Sequence, residues 1–182
     1  MGDALVWTAG IPGDAYIVAE DWIALQQLLH NRADFSLTSG AVGALPEATD
    51  AEALSGDPGI NGSPVFVASL AEFVRLTTEG LIGVVPERGR LLRMRPRLPD
   101  EWGNFRLTAS YLGGKVWLER KSATLYQIGE EGISPDVRVA LDIVPAPDER
   151  AQTSIRLVPG DNLKVTFKRE SETIWKAEVE GW

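Results

Sequence analysis

From residue 90 onward the chain is written in a period of two, and that pattern constrains the fold more than any other feature. Eight short runs alternate apolar with polar residues: RLLRMRP (90–96), NFRLTASYL (104–112), KVWLERK (115–121), ATLYQIG (123–129), DVRVALDI (136–143), TSIRLVP (153–159), NLKVTFKR (162–169) and TIWKAEV (173–179). Successive strand residues point to opposite faces, so Phe105, Leu107, Ala109 and Tyr111 share one face, as do Val137, Val139, Leu141 and Ile143. Gly113-Gly114 is a hairpin signal, and Pro159-Gly160-Asp161-Asn162 is a turn cluster. Strands this short, at this spacing, predict an antiparallel β-sandwich.

The first half carries the helical period instead. Val18, Trp22, Leu25 and Leu29 recur at helical spacing and predict a helix over Tyr16–Asn31, with Asp14 as its N-cap after Pro12-Gly13. A second helix is predicted over Pro64–Gly80, capped by Ser63 and with Pro64 at its first position. Its apolar stripe is Phe66, Leu70, Phe73 and Thr77, widened by Val67 and Val74. Between the helices, residues 33–62 are rich in Gly, Pro, Ser, Asp and Ala and have little periodicity; loops of that length are usually functional or disordered. The fold class is therefore α+β: a short helical segment, then the sandwich. Two helices and a long loop bury no core alone, so the first half reads as part of a larger helical assembly.

Charge divides the chain at the same place. Residues 1–90 hold four Arg and no Lys against twelve Asp and Glu, whereas residues 91–182 hold fourteen of each sign. The shift puts a domain boundary near residue 90, giving 1–88 and 89–182. Phosphate-backbone binding needs a basic face, and with a net charge of −8 nucleic acid is not an expected partner. No apolar run has the roughly 18–20 residues that span a bilayer, and no secretory signal is visible at the N-terminus, so no membrane partner is expected. Cysteine is absent and His30 is the single histidine, which removes thiol chemistry and His- or Cys-based metal sites. Asp50, Glu52 and Asp57 lack the remaining ligands of a calcium loop, and the glycines form no phosphate-binding fingerprint. No cofactor and no metal is expected.

The segment SLAEFVRLTTEGLIGVVPERGRLLRMRPRLPDEW (Ser69–Trp102) resembles the C-terminal junction of α-glucan-active glycosidases and phosphorylases built on an (α/α)6 barrel. In those families the final barrel helix carries S-x-A-E-x-x-R, here Ser69, Ala71, Glu72 and Arg75. An L-x-L-x-P-x-L-P-x-x-W strand follows, represented by Leu91, Pro96, Arg97, Leu98, Pro99 and Trp102. The chain is most similar to the amylo-α-1,6-glucosidase part of glycogen debranching enzymes, whose L-P-E-x-T loop is matched by Leu45-Pro46-Glu47-Ala48-Thr49. The resemblance covers residues 36–102 well and 1–35 loosely, and is architectural after about 120. It departs at Asn61–Ser69, where the family's motif aromatic becomes Ala68.

The resemblance implies that residues 1–88 are the last helices and active-site loop of an α/α barrel and 89–182 its accessory β domain. It implies that Glu47 is the general base of an inverting hydrolase acting on α-glucan oligosaccharides or glycogen in the cytoplasm. Inversion needs a second carboxyl about 6.5–9.5 Å away to protonate the leaving oxygen. That general acid lies far upstream in the family and has no counterpart here. The chain alone is expected to be inactive, with the missing N-terminal part of its parent as a partner. Pro46 limits the backbone before Glu47, which suits a positioned base; Asp50, Glu52 and Asp57 read as surface solvation or Asx turns. The alternative is a non-catalytic carbohydrate-binding or interaction module centred on the sandwich, with Trp117 and Trp175 as sugar-stacking candidates. Trp22 reads as core, and His30 as a helix-end residue favoured by the dipole. A bare stripe of Phe66, Leu70 and Phe73 predicts self-association.

Overall fold

All eight alternating runs form strands in the computed structural model, which describes residues 4–5, 10–19, 21–38, 48–49, 60–61, 67–98, 102–146 and 149–182. The chain divides into two units, Met1–Leu81 and Ile82–Trp182. The division falls ahead of the 88/89 boundary expected from composition, because Val84–Glu87 pairs antiparallel with Leu91–Met94.

The second unit has two sheets. The four-stranded sheet contains β4 (Val84–Glu87), β5 (Leu91–Met94), β9 (Val137–Ile143) and β10 (Ala151–Leu157), in the order β10-β9-β5-β4. The five-stranded sheet contains β6 (Arg106–Tyr111), β7 (Gly114–Arg120), β8 (Leu125–Glu131), β11 (Asn162–Arg169) and β12 (Trp175–Gly181), in the order β12-β11-β8-β7-β6. One buried cluster draws from both: Leu92, Met94, Val139 and Leu141 from the first, Val116, Leu118, Ile128 and Val165 from the second. Each such side chain contributes about 1.5–3 kcal/mol on leaving water. Phe105, Leu107, Ala109 and Tyr111 pack against its edge. The arrangement is sandwich-like, with one correction to the antiparallel expectation: β5 and β9 pair in parallel, Leu92 opposite Val139. The chain leaves β5 for three strands of the other sheet and returns alongside it, which is the long crossover a parallel pair requires.

Turn chemistry holds the ends. Glycine at φ 91° in Gly160, after Pro159, and the Asp161 N–H donating to the Val158 carbonyl at 3.0 Å make a type II turn. In the β6–β7 hairpin the loop residues are Leu112 and Gly113, at φ 49° and 82°, with Tyr111 facing Gly114. The expected Gly113-Gly114 signal is thus displaced by one residue.

The first unit contains α1 (Gly10–Ala19), α2 (Trp22–Thr38), α3 (Val67–Arg75) and a π turn (Leu76–Leu81). A three-stranded sheet is formed by β1 (Ala4–Leu5), β2 (Ala48–Thr49) and β3 (Ile60–Asn61), with β2 in the middle. The single helix expected over 16–31 is two helices. Asp14 lies inside α1, and Asp21 caps α2, its Oδ1 accepting from the Ala24 N–H at 3.0 Å. Leu25 and Leu29 are buried as the period predicts, but Val18 is exposed. The stripe on α3 is also rotated from expectation: Leu76, Gly80 and Leu81 are buried, while Leu70 and Val74 face solvent. The buried residues lie in the π turn, and the exposed ones on α3 ahead of it. Thr77 and Thr78 hydroxyls donate to the carbonyls of Phe73 and Val74, both at 2.8 Å, and so satisfy backbone groups where the helix widens. Among the described residues no helical barrel is formed, and no helix is long and apolar enough to cross a membrane.

Candidate functional site

Glu47 lies outside the described residues, as do Asp50, Glu52 and Asp57. The two residues after Glu47 are described: Ala48 and Thr49 form the central strand of the small sheet, paired with Ala4–Leu5 on one side and Ile60–Asn61 on the other. Backbone pairing on both edges fixes the segment that leads away from Glu47.

Glu72 and Arg75 of the helix motif meet each other. Arg75 Nη2 lies 2.9 Å from Glu72 Oε2 and 2.9 Å from Asp14 Oδ1, with Glu79 at 3.9 Å from Nη1. The motif E-x-x-R therefore ties α3 to α1 through one cation and two helices' carboxylates. The hydrogen bond from Glu72, then that from Asp14, raises the Arg75 pKa above the ordinary guanidinium value. Gly80 lies at the junction: a Cβ there would stand 2.8 Å from Ile17 Cδ1 and 3.1 Å from Leu25 Cδ2, so a larger residue would make those side chains shift. Arg32 is the other cation of this unit. Its Nε is buried without a hydrogen-bond partner, and desolvation lowers its pKa to about 10.

The tryptophans expected on the sandwich are packed. Trp117 points away from the inter-sheet core, since Val116 and Leu118 take that side, yet it is only 6% exposed. Its ring lies over Gly129, where a Cβ would come within 2.5 Å, and the Arg106 guanidinium covers it at 4.5 Å from the ring centroid. Trp175 packs against the core cluster and donates through Nε1 to Glu149 at 2.8 Å. Among the described residues Trp102 and Trp182 are the exposed tryptophans, at 59% and 68%. His30 does not end a helix: it sits mid-α2, 3.2 Å from Asp34.

Two buried charged groups were not anticipated. Glu130 falls at a core-facing position of β8, continuing the alternation of Tyr126 and Ile128. Its carboxylate accepts from the Ile133 N–H at 2.7 Å and from the Gly160 N–H, stapling the turn after β8 to the type II turn before β11. The parity of the alternation was the signal that could have found it. Arg97, between Pro96 and Leu98 of the L-x-L-x-P-x-L-P-x-x-W stretch, is also buried. Its Nη2 pairs with Asp142 at 2.9 Å and Nη1 donates to the Asp142 carbonyl at 3.0 Å, so this motif residue pins the segment after β5 onto β9. Beside it, burial lowers the Arg95 pKa, Arg97 and Arg93 add to the shift, and Asp142 opposes it.

Among the described residues no three carboxylates or imidazoles converge as a metal site. No known protein family, curated protein or solved structure matches the chain.

Proposed function

We propose that this chain is the C-terminal part of an α-glucan-active glycoside hydrolase of the glycogen-debranching, amylo-α-1,6-glucosidase type, and that Glu47 is its general base. The observation that carries the reading is the Leu45-Pro46-Glu47-Ala48-Thr49 match at its distance before Ser69, Glu72 and Arg75. Two features support it. The helices leave large apolar side chains in solvent, Val18 and Ile23 each at 82%, as helices lacking their neighbours would. The order of a helical unit followed by a sandwich-like unit also agrees with the junction that the motif marks. With the general acid on the missing part, the 182-residue chain does not hydrolyse panose, isomaltose or maltotriose on its own. A cytoplasmic glucan store is the setting this reading implies.

The test is made in the parent enzyme. Glu47→Gln lowers kcat on panose by about 10³-fold or more, by analogy with loss of a positioned acid–base group, and leaves KM nearly unchanged. Undiminished kcat contradicts the assignment, and so does Glu47-dependent turnover by the 182-residue chain alone. A non-catalytic glucan-binding module is the second reading, favoured by the exposed rings of Trp102 and Trp182 and no longer by Trp117 or Trp175. Glucan affinity that falls on Trp102→Ala or Trp182→Ala, and survives Glu47→Gln, supports it.

A further inference from the structure

We propose that the outer face of the four-stranded sheet docks an acidic polypeptide surface. Lysine is confined to one of the two sheets of the second unit, which also carries Arg106, Arg120 and Arg169. All five lysines (Lys115, Lys121, Lys164, Lys168 and Lys176) lie on the strands or turns of the five-stranded sheet. There Lys164, Lys168 and Lys176 are matched by Glu180, Glu178 and Glu170 at 4.0, 2.6 and 3.4 Å. Such lysine–glutamate pairs make an ordinary solvated surface. Residues 84–98 and 136–157, which build the four-stranded sheet, contain eight arginines and no lysine. Enrichment in arginine with depletion of lysine is the composition of a protein interface, because guanidinium loses water at lower cost and meets carboxylates through two bonds.

The register sets some of those arginines side by side on one face. Leu92, Met94, Val139, Leu141 and Ile155 point inward, so Arg93, Arg138 and Arg156 project from the opposite face, and all three are exposed. Arg138 stands directly across from Arg156 in the β9–β10 register. Like charges directly opposite are unfavourable. Asp136 pairs with Arg156 at 2.7 Å and Glu87 with Arg93 at 2.7 Å, whereas Arg138 has no ion-pair partner among the described residues. Arg90, at the rim of the same end, is held at φ 60°, a conformation that non-glycine residues rarely adopt. Arg90, Arg138 and Arg156 line one depression there with a single carboxylate, Asp136.

Charge complementarity fixes the occupant. Glu87, Asp136 and Asp142 interrupt the arginines and would repel a continuous phosphate chain, and the face offers Val85, Leu91 and Ala140 in place of aromatic rings for base stacking. A surface presenting spaced carboxylates among small apolar groups fits both the cations and the gaps.

The test uses fluorescence anisotropy at low ionic strength with a labelled glutamate-rich peptide and a labelled oligothymidylate of matched charge. Two triple variants change net charge equally: Arg93→Gln/Arg138→Gln/Arg156→Gln, and Lys164→Gln/Lys168→Gln/Lys176→Gln. The arginine triple weakens peptide binding about tenfold or more, and the lysine triple about twofold or less. Should the arginine triple fail to fold, Arg138→Gln alone weakens binding a fewfold, since it breaks no ion pair. No peptide binding, equal loss in both triples, or tighter binding of the oligothymidylate overturns the proposal. Light scattering that shows a dimer dissolved by the arginine triple also overturns it, by making the occupant a second copy.

Discussion

Leu112 occupies the left-handed region at φ 49° in a two-residue hairpin whose other member, Gly113, is at 82°. Turns of this mirror type favour Asn-Gly, because a β-carbon is penalised there and asparagine tolerates it best. Leu112 is also exposed, so its side chain adds little packing in return. Leu112→Asn is therefore expected to stabilise the sandwich unit by about 0.5–1 kcal/mol, read from denaturant midpoints. The opposite sign is expected where side chains fill the available space. Gly129→Ala places a carbon 2.5 Å from the buried Trp117 ring and 2.7 Å from Asn162 Oδ1. A loss of about 2 kcal/mol or more and a red-shifted tryptophan emission should follow. Glu130→Ala leaves two turn N–H groups without their acceptor and should cost about 2 kcal/mol. A Glu130→Ala protein that melts with the parent would show that the staple is replaced by solvent.

At the scale of elements, the two arginines of the helical unit make opposite predictions. Arg75 serves carboxylates from α1 and α3, so Arg75→Met should destabilise the unit by about 1 kcal/mol. Arg32 is desolvated with an unpartnered Nε, so Arg32→Met should stabilise it by a similar amount. The pH dependence gives the sign. The folded-state pKa of Arg32, about 10, lies below the unfolded value, so above pH 10 the unfolded chain binds more protons and stability rises. The advantage of Arg32→Met over the parent should hold at pH 8 and shrink as pH climbs past about 10; a constant difference would contradict it. These elements also show what could be read in advance. Strand runs were legible because alternation and turns are local properties. Val84–Glu87 was not, being four residues long with Pro86 inside it. The parallel pairing of β5 with β9 depends on partners over forty residues apart, and no local period encodes it. In the helical half the period found Leu25 and Leu29 but missed the break before Asp21, and it put Leu70 and Val74 on a buried stripe where the structure exposes them. Of the candidate site, Glu72 and Arg75 were legible as a motif and turn out to clamp helices together, whereas the role of Glu47 rests on resemblance alone.

For the whole molecule, charge sorts by unit. Residues 1–81 carry two arginines against eleven acidic residues, a net of −9, and residues 82–182 carry sixteen basic against fifteen acidic, a net of +1. A strongly acidic unit with few cations repels itself when alone. Together with the exposed Val18, Ile23, Leu70 and Val74, this supports a helical unit that is completed by further chain. The most direct measurement of that claim is the intact mass of the native polypeptide in an extract of its source organism. The proposed function predicts a polypeptide several times the 19.8 kDa of this chain, with the general acid in the additional sequence. A native polypeptide of 19.8 kDa would contradict it and turn attention to the sandwich and its arginine face.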